Sequence, residues 1–241
     1  MTPRSGAIAA ATALRCLAAI CIAAVFTGCA GTPVVGNTAD LSQIKKIVMM
    51  PVQNMAAIYG PSRNVRNPLS GSVFITGDVS PEAAQLFESA VYARITALER
   101  FEVLPPESAL GIMSSLTSRD AAPIIDRSLW IESGRALNAD GVLVCFIYRY
   151  RERVGSRYAS EEPASVAFDL TLLRTVDGRI MWTGRFDETQ RALSENLLEI
   201  NKFMKRKGWI SAADLAAAGL DDLFSAMSAP RPATGAAEND P

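Results

Sequence analysis

The stretch Leu137-Asn-Ala-Asp-Gly-Val-Leu-Val-Cys-Phe-Ile-Tyr148 decides the fold of this chain. The residues from Asn138 to Asp140 are typical of a turn, and a continuous apolar run begins at Gly141. Such a run predicts a strand that is buried on both faces, because a strand with one wet face would alternate apolar and polar residues. A strand of this kind requires cover on both sides of its sheet, which neighbouring helices can supply.

The remaining elements follow from apolar periodicity and from helix and turn signals on either side of this strand. Ser80-Pro-Glu82 is a strong helix start, because it combines a hydroxyl cap, a proline at the first helical position and an early carboxylate. Alternation from Val166 to Leu172 predicts a half-buried strand, and Gly178 closes a turn that favours a positive φ. The sequence therefore predicts an α/β (α+β) fold, with a mixed sheet of about five strands covered by helices and two extra C-terminal helices. The predicted strands are 46–53, 101–104, 141–150, 166–172 and 179–186, and the predicted helices are 81–98, 106–116, 124–137, 194–205 and 212–227.

A long connection, residues 54–79, separates the first strand from its helix. It is interrupted by Gly60-Pro61, Asn67-Pro68, Gly71 and Gly77. A structureless loop of this length is uncommon in a compact domain and is usually functional or mobile. Within it, the segment 72–76 is compatible with a strand or a small hairpin.

A short motif, Phe26-Thr-Gly-Cys29, ends the apolar run from Ala18 to Val25. Arg4 and Arg15 precede this run, and small residues stand before the cysteine, as a secretory signal peptide requires. The run is too short to span a bilayer, which needs about 20 apolar residues. The sequence therefore predicts export.

The motif resembles the lipobox of bacterial lipoproteins, although Phe26 stands where that motif usually has leucine. The resemblance implies signal cleavage between Gly28 and Cys29, with diacylglycerol and an N-acyl chain attached to Cys29. The alternatives are an uncleaved signal anchor, or ordinary secretion with Cys29 present by chance. We expect a signal peptide at 1–28, a flexible tether at 29–39, one domain at 40–227 and a disordered tail at 228–241.

Composition excludes several classes of function. The chain has 241 residues and no histidine, which excludes His-based zinc sites and the Ser-His-Asp and Cys-His catalytic arrangements. Removal of residues 1–28 leaves 22 basic residues against 25 acidic ones, so no basic surplus favours nucleic acid. Cys145 lies in an apolar run, where a thiol behaves as a small buried hydrophobe. We expect no metal and no cofactor other than the acyl chains on Cys29.

From Ile44 to Trp182 the chain resembles the superfamily of bacterial envelope proteins that includes CsgG, LpoB and the N-terminal domain of TolB. Three segments carry the resemblance: Ile47-Val-Met-Met-Pro-Val-Gln-Asn54, the start of the central strand at Leu137–Val144, and the turn and tryptophan at Asp177–Trp182. The resemblance implies a TolB N-terminal-like fold and a non-catalytic lipoprotein. Because Ala30 rather than aspartate follows Cys29, it also implies the outer membrane facing the periplasm.

Two groups of residues are candidates for partner contact. Arg149, Arg151 and Arg153 alternate and would share one face of their strand, either as a recognition stripe for an acidic partner or as a solvated extension of the sheet. The loop that contains Tyr59, Arg63 and Arg66 is the second candidate.

The preferred interpretation is a membrane-anchored lipoprotein that binds an envelope protein and faces the periplasm. One alternative is an oligomeric outer-membrane secretion channel of the curli type. Another is a cell-wall hydrolase that uses only carboxylates, with Asp169, Asp187 and Glu188 as the residues to test. A homo-oligomer remains open at this point.

Overall fold

The computed structural model describes residues 34–36, 39–116, 126–155, 160–190 and 211–228, which form eleven strands and five helices. The helices are α1 (Met55–Tyr59), α2 (Pro81–Ala97), α3 (Pro106–Leu116), α4 (Arg127–Ala136) and α5 (Ala212–Ser228). The strands are β1 (Val34–Gly36), β2 (Lys46–Met49), β3 (Gln53–Asn54), β4 (Asn64–Arg66), β5 (Val73–Ile75), β6 (Glu102–Leu104), β7 (Gly141–Arg151), β8 (Val154–Gly155), β9 (Ser160–Glu162), β10 (Ser165–Arg174) and β11 (Ile180–Thr189).

One mixed sheet organises these elements. Its order is β1-β11-β10-β7-β2-β6, and β3 also pairs with β7. The pairs β6/β2, β2/β7 and β3/β7 are parallel, whereas the pairs β7/β10, β10/β11 and β11/β1 are antiparallel. The predicted mixed sheet of about five strands covered by helices is therefore confirmed, with β1 and β3 as short additions.

Helices α2 and α5 cover one face of the sheet, which we call the α2–α5 face. The predicted start of α2 is confirmed, because Ser80 caps the helix by accepting a hydrogen bond from the backbone N–H of Ala83 and Pro81 is the first helical residue. Its buried residues recur at Phe87, Val91 and Ile95, which is the spacing that places side chains on one side of a helix. This stripe packs with α5 onto apolar side chains of β7, β10 and β11.

The opposite face, which we call the hairpin face, is covered by two different kinds of structure. Helices α3 and α4 contribute Ala109 and Trp130, which pack in one cluster with Val144 and Phe146 of β7. The antiparallel pair β4–β5 covers the adjoining part of the face with Phe74. None of the helices within the described ranges is long and apolar enough to cross a membrane.

The first predicted strand is interrupted, which corrects the expectation of one strand over 46–53. Strand β2 ends at Met49, and β3 begins only at Gln53. Pro51 lies between them, and a proline has no N–H to donate to a sheet ladder. The backbone N–H of Met50 still donates to the carbonyl of Leu143, at 2.9 Å, so both pieces stay aligned along β7.

Strand β10 corrects a second expectation, because it is buried on both faces rather than one. Residues Ser165 to Leu173 are all buried. The alternation of apolar and polar side chains is present, but the polar residues Asp169 and Thr171 lie on the hairpin face. Asp169 is buried beneath the insertion, whose Ser70 Oγ donates to its carboxylate at 2.9 Å.

The predicted tether also needs correction in part. Val34–Gly36 form β1 and pair antiparallel with residues 183–185 of β11, and the backbone N–H of Ala39 donates to the carbonyl of Met181 at 2.8 Å. Valine is a favourable strand residue, and β11 offers an open edge for pairing. The signal peptide, Gly28, Cys29, the helix predicted at 194–205 and the predicted tail beyond Ser228 lie outside the described residues, so the domain limits stay predictions.

Cys145 is a free, fully buried thiol, as its sequence context predicts. Burial raises its pKa well above the ordinary value. The thiol therefore serves as an apolar packing group.

Candidate functional site

The insertion at 54–79 folds onto the sheet and is the candidate site. It contains α1 and then the segment 62–76, which we call the insertion hairpin and which consists of β4, β5 and their connecting turn. This is more ordered than the predicted loop, although the strand anticipated within 72–76 is confirmed as β5. The Thr76 hydroxyl closes the base of the hairpin by donating to the carbonyl of Gly60, at 2.7 Å.

The inner side of the hairpin rests on an aromatic contact. Phe74 is buried and stacks on Tyr148 of β7 with ring centroids 4.1 Å apart and planes 10° apart. The guanidinium of Arg185, on β11, lies 4.5 Å from the Phe74 ring centroid. This position allows a favourable cation–π interaction, so the hairpin is held between two side chains of the sheet.

Arg149 ties the hairpin to the sheet through a fork of three hydrogen bonds. Its Nη1 donates to the carbonyl of Ile75 at 2.9 Å, its Nη2 to Asp187 Oδ1 at 2.5 Å, and its Nε to Ser165 Oγ at 2.6 Å. Only 13% of the Arg149 side chain is exposed. A planar guanidinium can meet three acceptors in fixed directions, so Arg149 is a structural clamp rather than a free recognition group.

A bulge in β7 explains why Arg149 faces the hairpin. Along β10, Phe168 is opposite Ile147, but the next residue, Ala167, is opposite Arg149. Tyr148 is thus the extra residue, and a bulge of this kind turns neighbouring side chains toward the same face. Strict alternation would instead have directed the arginines to the α2–α5 face.

Asp169 lies beneath the turn of the hairpin with no solvent exposure. Its carboxylate accepts hydrogen bonds from Ser70 Oγ at 2.9 Å and from Thr171 Oγ1 at 3.2 Å. Burial raises the pKa of Asp169 to about 7, against the lowering effect of these hydroxyls and of the Arg185 charge. A carboxyl group that is about half protonated at neutral pH therefore lies between the hairpin and the sheet.

Two further polar groups are buried beside this carboxyl group. The Asn67 side-chain nitrogen and the Tyr148 hydroxyl have no hydrogen-bond partner among the described residues. The Asn67 side chain nevertheless lies close to the Tyr148 hydroxyl. Burial raises the pKa of Tyr148, and the nearby Asn67 side chain partly offsets this rise. The contact between the turn of the hairpin and the sheet is thus only partly satisfied in hydrogen bonding.

The outer side of the insertion is exposed and apolar, with two arginines. Strand pairing places Arg66 opposite Val73 and Asn64 opposite Ile75, on the face that points away from buried Val65 and Phe74. Val73 is 43% exposed, Ile75 56% and Tyr59 49%. We use the name outer patch for the exposed apolar and arginine residues of α1 and the insertion hairpin, which are Ile58, Tyr59, Arg63, Arg66, Val73 and Ile75.

The predicted contact residues therefore have different environments. Tyr59, Arg63 and Arg66 are exposed in the outer patch. Arg149 is committed to the clamp, and Arg151 lies on the same face with its Nε 3.9 Å from Glu162. Strand β7 ends at Arg151, so Arg153 lies beyond it, and the stripe of three arginines on one strand is reduced to two.

The three carboxylates named for a hydrolase do not converge. Asp169 is covered by the hairpin, and Asp187 lies 2.5 Å from Arg149 and 3.5 Å from Arg185. Glu188 follows Asp187 directly on β11 and points to the opposite face. Within the described ranges, no group of histidine, cysteine or acidic side chains could hold a metal ion.

Sequence reasoning missed Asp169, Ser70 and Arg185 as a connected group. Ser70 and Asp169 are 99 positions apart, and Asp169 occupies a position that alternation assigns to solvent. The available signal was Phe74, a large apolar residue within a polar insertion, which requires a surface to cover it.

No protein-family model matches the chain, and no curated protein matches its sequence. Solved structures do resemble it. The PelC dodecamer from Paraburkholderia phytofirmans is 14% identical with a TM-score of 0.47, covering 84% of this chain and 100% of that chain. Lipoprotein GNA1162 from Neisseria meningitidis is 14% identical with a TM-score of 0.38, covering 68% and 97%. The C-terminal domain of LpoB from Escherichia coli is 15% identical with a TM-score of 0.38, covering 63% and 88%.

Identities and TM-scores this low do not carry an argument about function. The LpoB domain and lipoprotein GNA1162 are nevertheless among the similar structures. The resemblance to CsgG and TolB stays a prediction.

Proposed function

We propose that this chain is a non-catalytic lipoprotein of the bacterial envelope, anchored through acyl chains on Cys29, that binds an envelope protein through the outer patch. The observation that carries the proposal is the division of the insertion into two sides. The inner side is fastened by Arg149, Arg185 and Phe74. The outer side leaves Ile75, Val73 and Tyr59 exposed.

The chemistry of the outer patch specifies the partner. Exposed aliphatic and aromatic side chains with arginine at their margin are typical of protein-contact surfaces. Arg63 and Arg66 are the charged members of the patch, so the matching surface should be apolar at its centre and acidic at its edge.

The anchor is tested by substitution of Cys29. We expect Cys29→Ala to move the protein from the membrane fraction to the soluble fraction of cells. Cys145→Ala is the matched control, because Cys145 is buried in the sheet and its loss should leave fractionation unchanged. Pelleting of the Cys29→Ala protein with membranes would contradict the anchor.

The contact surface is tested with a photo-crosslinking amino acid in intact cells. Positions 59 and 75 in the outer patch should give the same crosslinked species. Leu86 and Val176 are the controls, because both are exposed apolar residues outside the insertion. Crosslinks of equal strength at all four positions, or at the control positions alone, would contradict the assignment.

A further inference from the structure

Among the described residues, Asp169 is the one acidic or basic residue that is buried. It lies at the contact between β10 and the turn of the insertion hairpin. The contact depends on one hydrogen bond across it, from Ser70 Oγ to Asp169 Oδ2, at 2.9 Å. A charge at this position would be removed from water without a direct ion pair among the described residues, which is unfavourable.

The groups around Asp169 come from four elements. The hairpin supplies Ser70, and β10 itself supplies Thr171. Strand β11 supplies Arg185, whose Nη2 already donates to the carbonyl of Val73 at 3.1 Å and lies 3.5 Å from Asp187. Strand β7 supplies Tyr148 beside the hairpin, Arg149, which is bound to Asp187, and Cys145 on the opposite face.

These neighbours compensate a carboxylate only in part. The charge of Arg185 lowers the pKa of Asp169, but its guanidinium also interacts with a backbone carbonyl, a ring and a second carboxylate. Burial chiefly, and to a lesser extent the charge of Asp169, raises the pKa values of Tyr148 and Cys145, so both stay neutral. Opening of the hairpin would expose the Asp169 carboxyl group to water.

We propose that Asp169 is a proton-dependent latch for the insertion hairpin, which is seated on the sheet while the carboxyl group is protonated and lifts when the group ionises. The inference rests on the proposed function in one respect, because the hairpin carries Val73 and Ile75 of the outer patch. It assigns a regulation to that surface. Gly60, with φ of +81°, precedes the hairpin, and Gly77, whose N–H donates to the carbonyl of Tyr148 at 2.8 Å, follows it.

The direction of the response follows from linkage between proton binding and opening. Burial raises the pKa of Asp169 to about 7 in the closed state, whereas an open, solvated carboxyl should be near its ordinary value of 3.8. The closed state is therefore favoured most below about pH 3.8, and its advantage is lost as the pH rises through about 7. Between about pH 6 and pH 8 the opening constant should increase about tenfold.

The test is hydrogen–deuterium exchange of the purified full chain across this pH range, with labelling times scaled to the intrinsic exchange rate at each pH. The amides to follow are those of Ser62, Asn67 and Thr76, which donate to backbone carbonyls within the hairpin. They report lifting because a two-stranded hairpin released from its sheet is at best marginally stable in water and loses these hydrogen bonds. We expect their corrected exchange to rise about tenfold from pH 6 to pH 8, while amides of α5 change much less.

Asp169→Asn is the decisive variant, because asparagine has the same shape and no charge. Its carbonyl can accept from Ser70 and its amide can donate to Thr171, so the hairpin should be protected to the same degree at both pH values. Asp221→Asn is the control, because Asp221 is an exposed residue of α5 that pairs with Arg94. The wild-type pH response should persist in it.

Three outcomes would overturn the latch. They are an equal pH response in wild type and Asp169→Asn, hairpin exchange that follows α5 at every pH, and hairpin amides with no protection at either pH. If Asp169→Asn fails to fold, Ser70→Ala replaces it and should increase hairpin exchange at pH 6. The measurement involves no partner, so a failed crosslinking experiment and a failed latch remain separate results.

Discussion

The two faces of the sheet are both covered, but by different physical means. The α2–α5 face is sealed by long helices that pack apolar stripes onto Phe168, Trp182 and Phe186. Beside α3 and α4, the hairpin face is closed by a short insertion that depends on arginine forks, one aromatic stack and a buried carboxyl group. The two faces should therefore respond differently to pH. The free energy of apolar packing on the α2–α5 face does not depend on pH, whereas the free energy of burying the Asp169 carboxyl on the hairpin face does.

The largest effect should come from breaking the α2–α5 face. Phe168 is fully buried, with ring centroids 4.8 Å from Phe87 and 5.1 Å from Phe186. We expect Phe168→Ala to lower the free energy of unfolding by about 3–5 kcal/mol, because it leaves a cavity. Urea denaturation measures the change. Leu86→Ala, at an exposed position of α2, is the control and should change it by less than about 0.5 kcal/mol.

Replacement of Asp169 by asparagine should produce the next largest effect, which is an increase in the free energy of unfolding at high pH. Burial raises the pKa of Asp169 from 3.8 to about 7, and at about 1.4 kcal/mol per pKa unit this corresponds to at most about 4 kcal/mol lost between low and high pH. Asp169→Asn should therefore be more stable than wild type at pH 8, and the difference should shrink as the pH falls toward 4.

Urea midpoints of the two proteins at several pH values test this prediction. The chain contains no histidine, the side chain that ordinarily titrates near neutrality, so a pH effect in this range is readily assigned. A constant difference between the two proteins from pH 5 to pH 8 would contradict it.

A smaller loss of stability should follow when Arg149 is replaced by lysine, which keeps the positive charge but not the three hydrogen bonds. Lysine at position 149 cannot serve Ser165, Asp187 and the carbonyl of Ile75 together. We expect Arg149→Lys to lower the free energy of unfolding by about 1–3 kcal/mol and to increase exchange in the hairpin. Arg94→Lys, at an exposed ion pair with Asp221, should cost less than about 1 kcal/mol. Equal losses in the two variants would show that Arg149 is not a special contact.

The smallest effect is expected at the outer patch. Ile75→Ser removes an exposed side chain that points away from the sheet, so the free energy of unfolding should change by less than about 0.5 kcal/mol. The same variant should weaken crosslinking from position 59. A large loss of stability would mean that the outer side of the hairpin is packed rather than available.

The sequence was sufficient for the sheet because the relevant signals are local. A continuous apolar run predicts β7, Ser80-Pro-Glu82 predicts the start of α2, and Gly178 adopts the positive φ of +71° expected at its turn. Each depends only on residues within a few positions of one another.

The candidate site could be predicted only in part, because its contacts join distant segments. Tyr59, Arg63 and Arg66 were identified because the insertion is long and polar. The clamp was not, since Arg149 reaches the hairpin through a bulge whose extra residue, Tyr148, has no signature in the apolar run. Asp169 was named only as a residue to test for a hydrolase, and its burial was not predicted, because alternation describes which face a residue is on and not what covers that face.

The pairing of β1 with β11 limits how far the domain can stand from its anchor. Five peptide steps separate Cys29 from Val34, where the edge strand begins, and a fully extended chain advances at most about 3.6 Å per residue. If Cys29 is acylated as proposed, the segment between the lipid anchor and the start of β1 is shorter than about 18 Å. The start of β1 would then lie within that distance of the lipid headgroups, so a partner that bound the β1 edge of the sheet would do so close to the membrane surface.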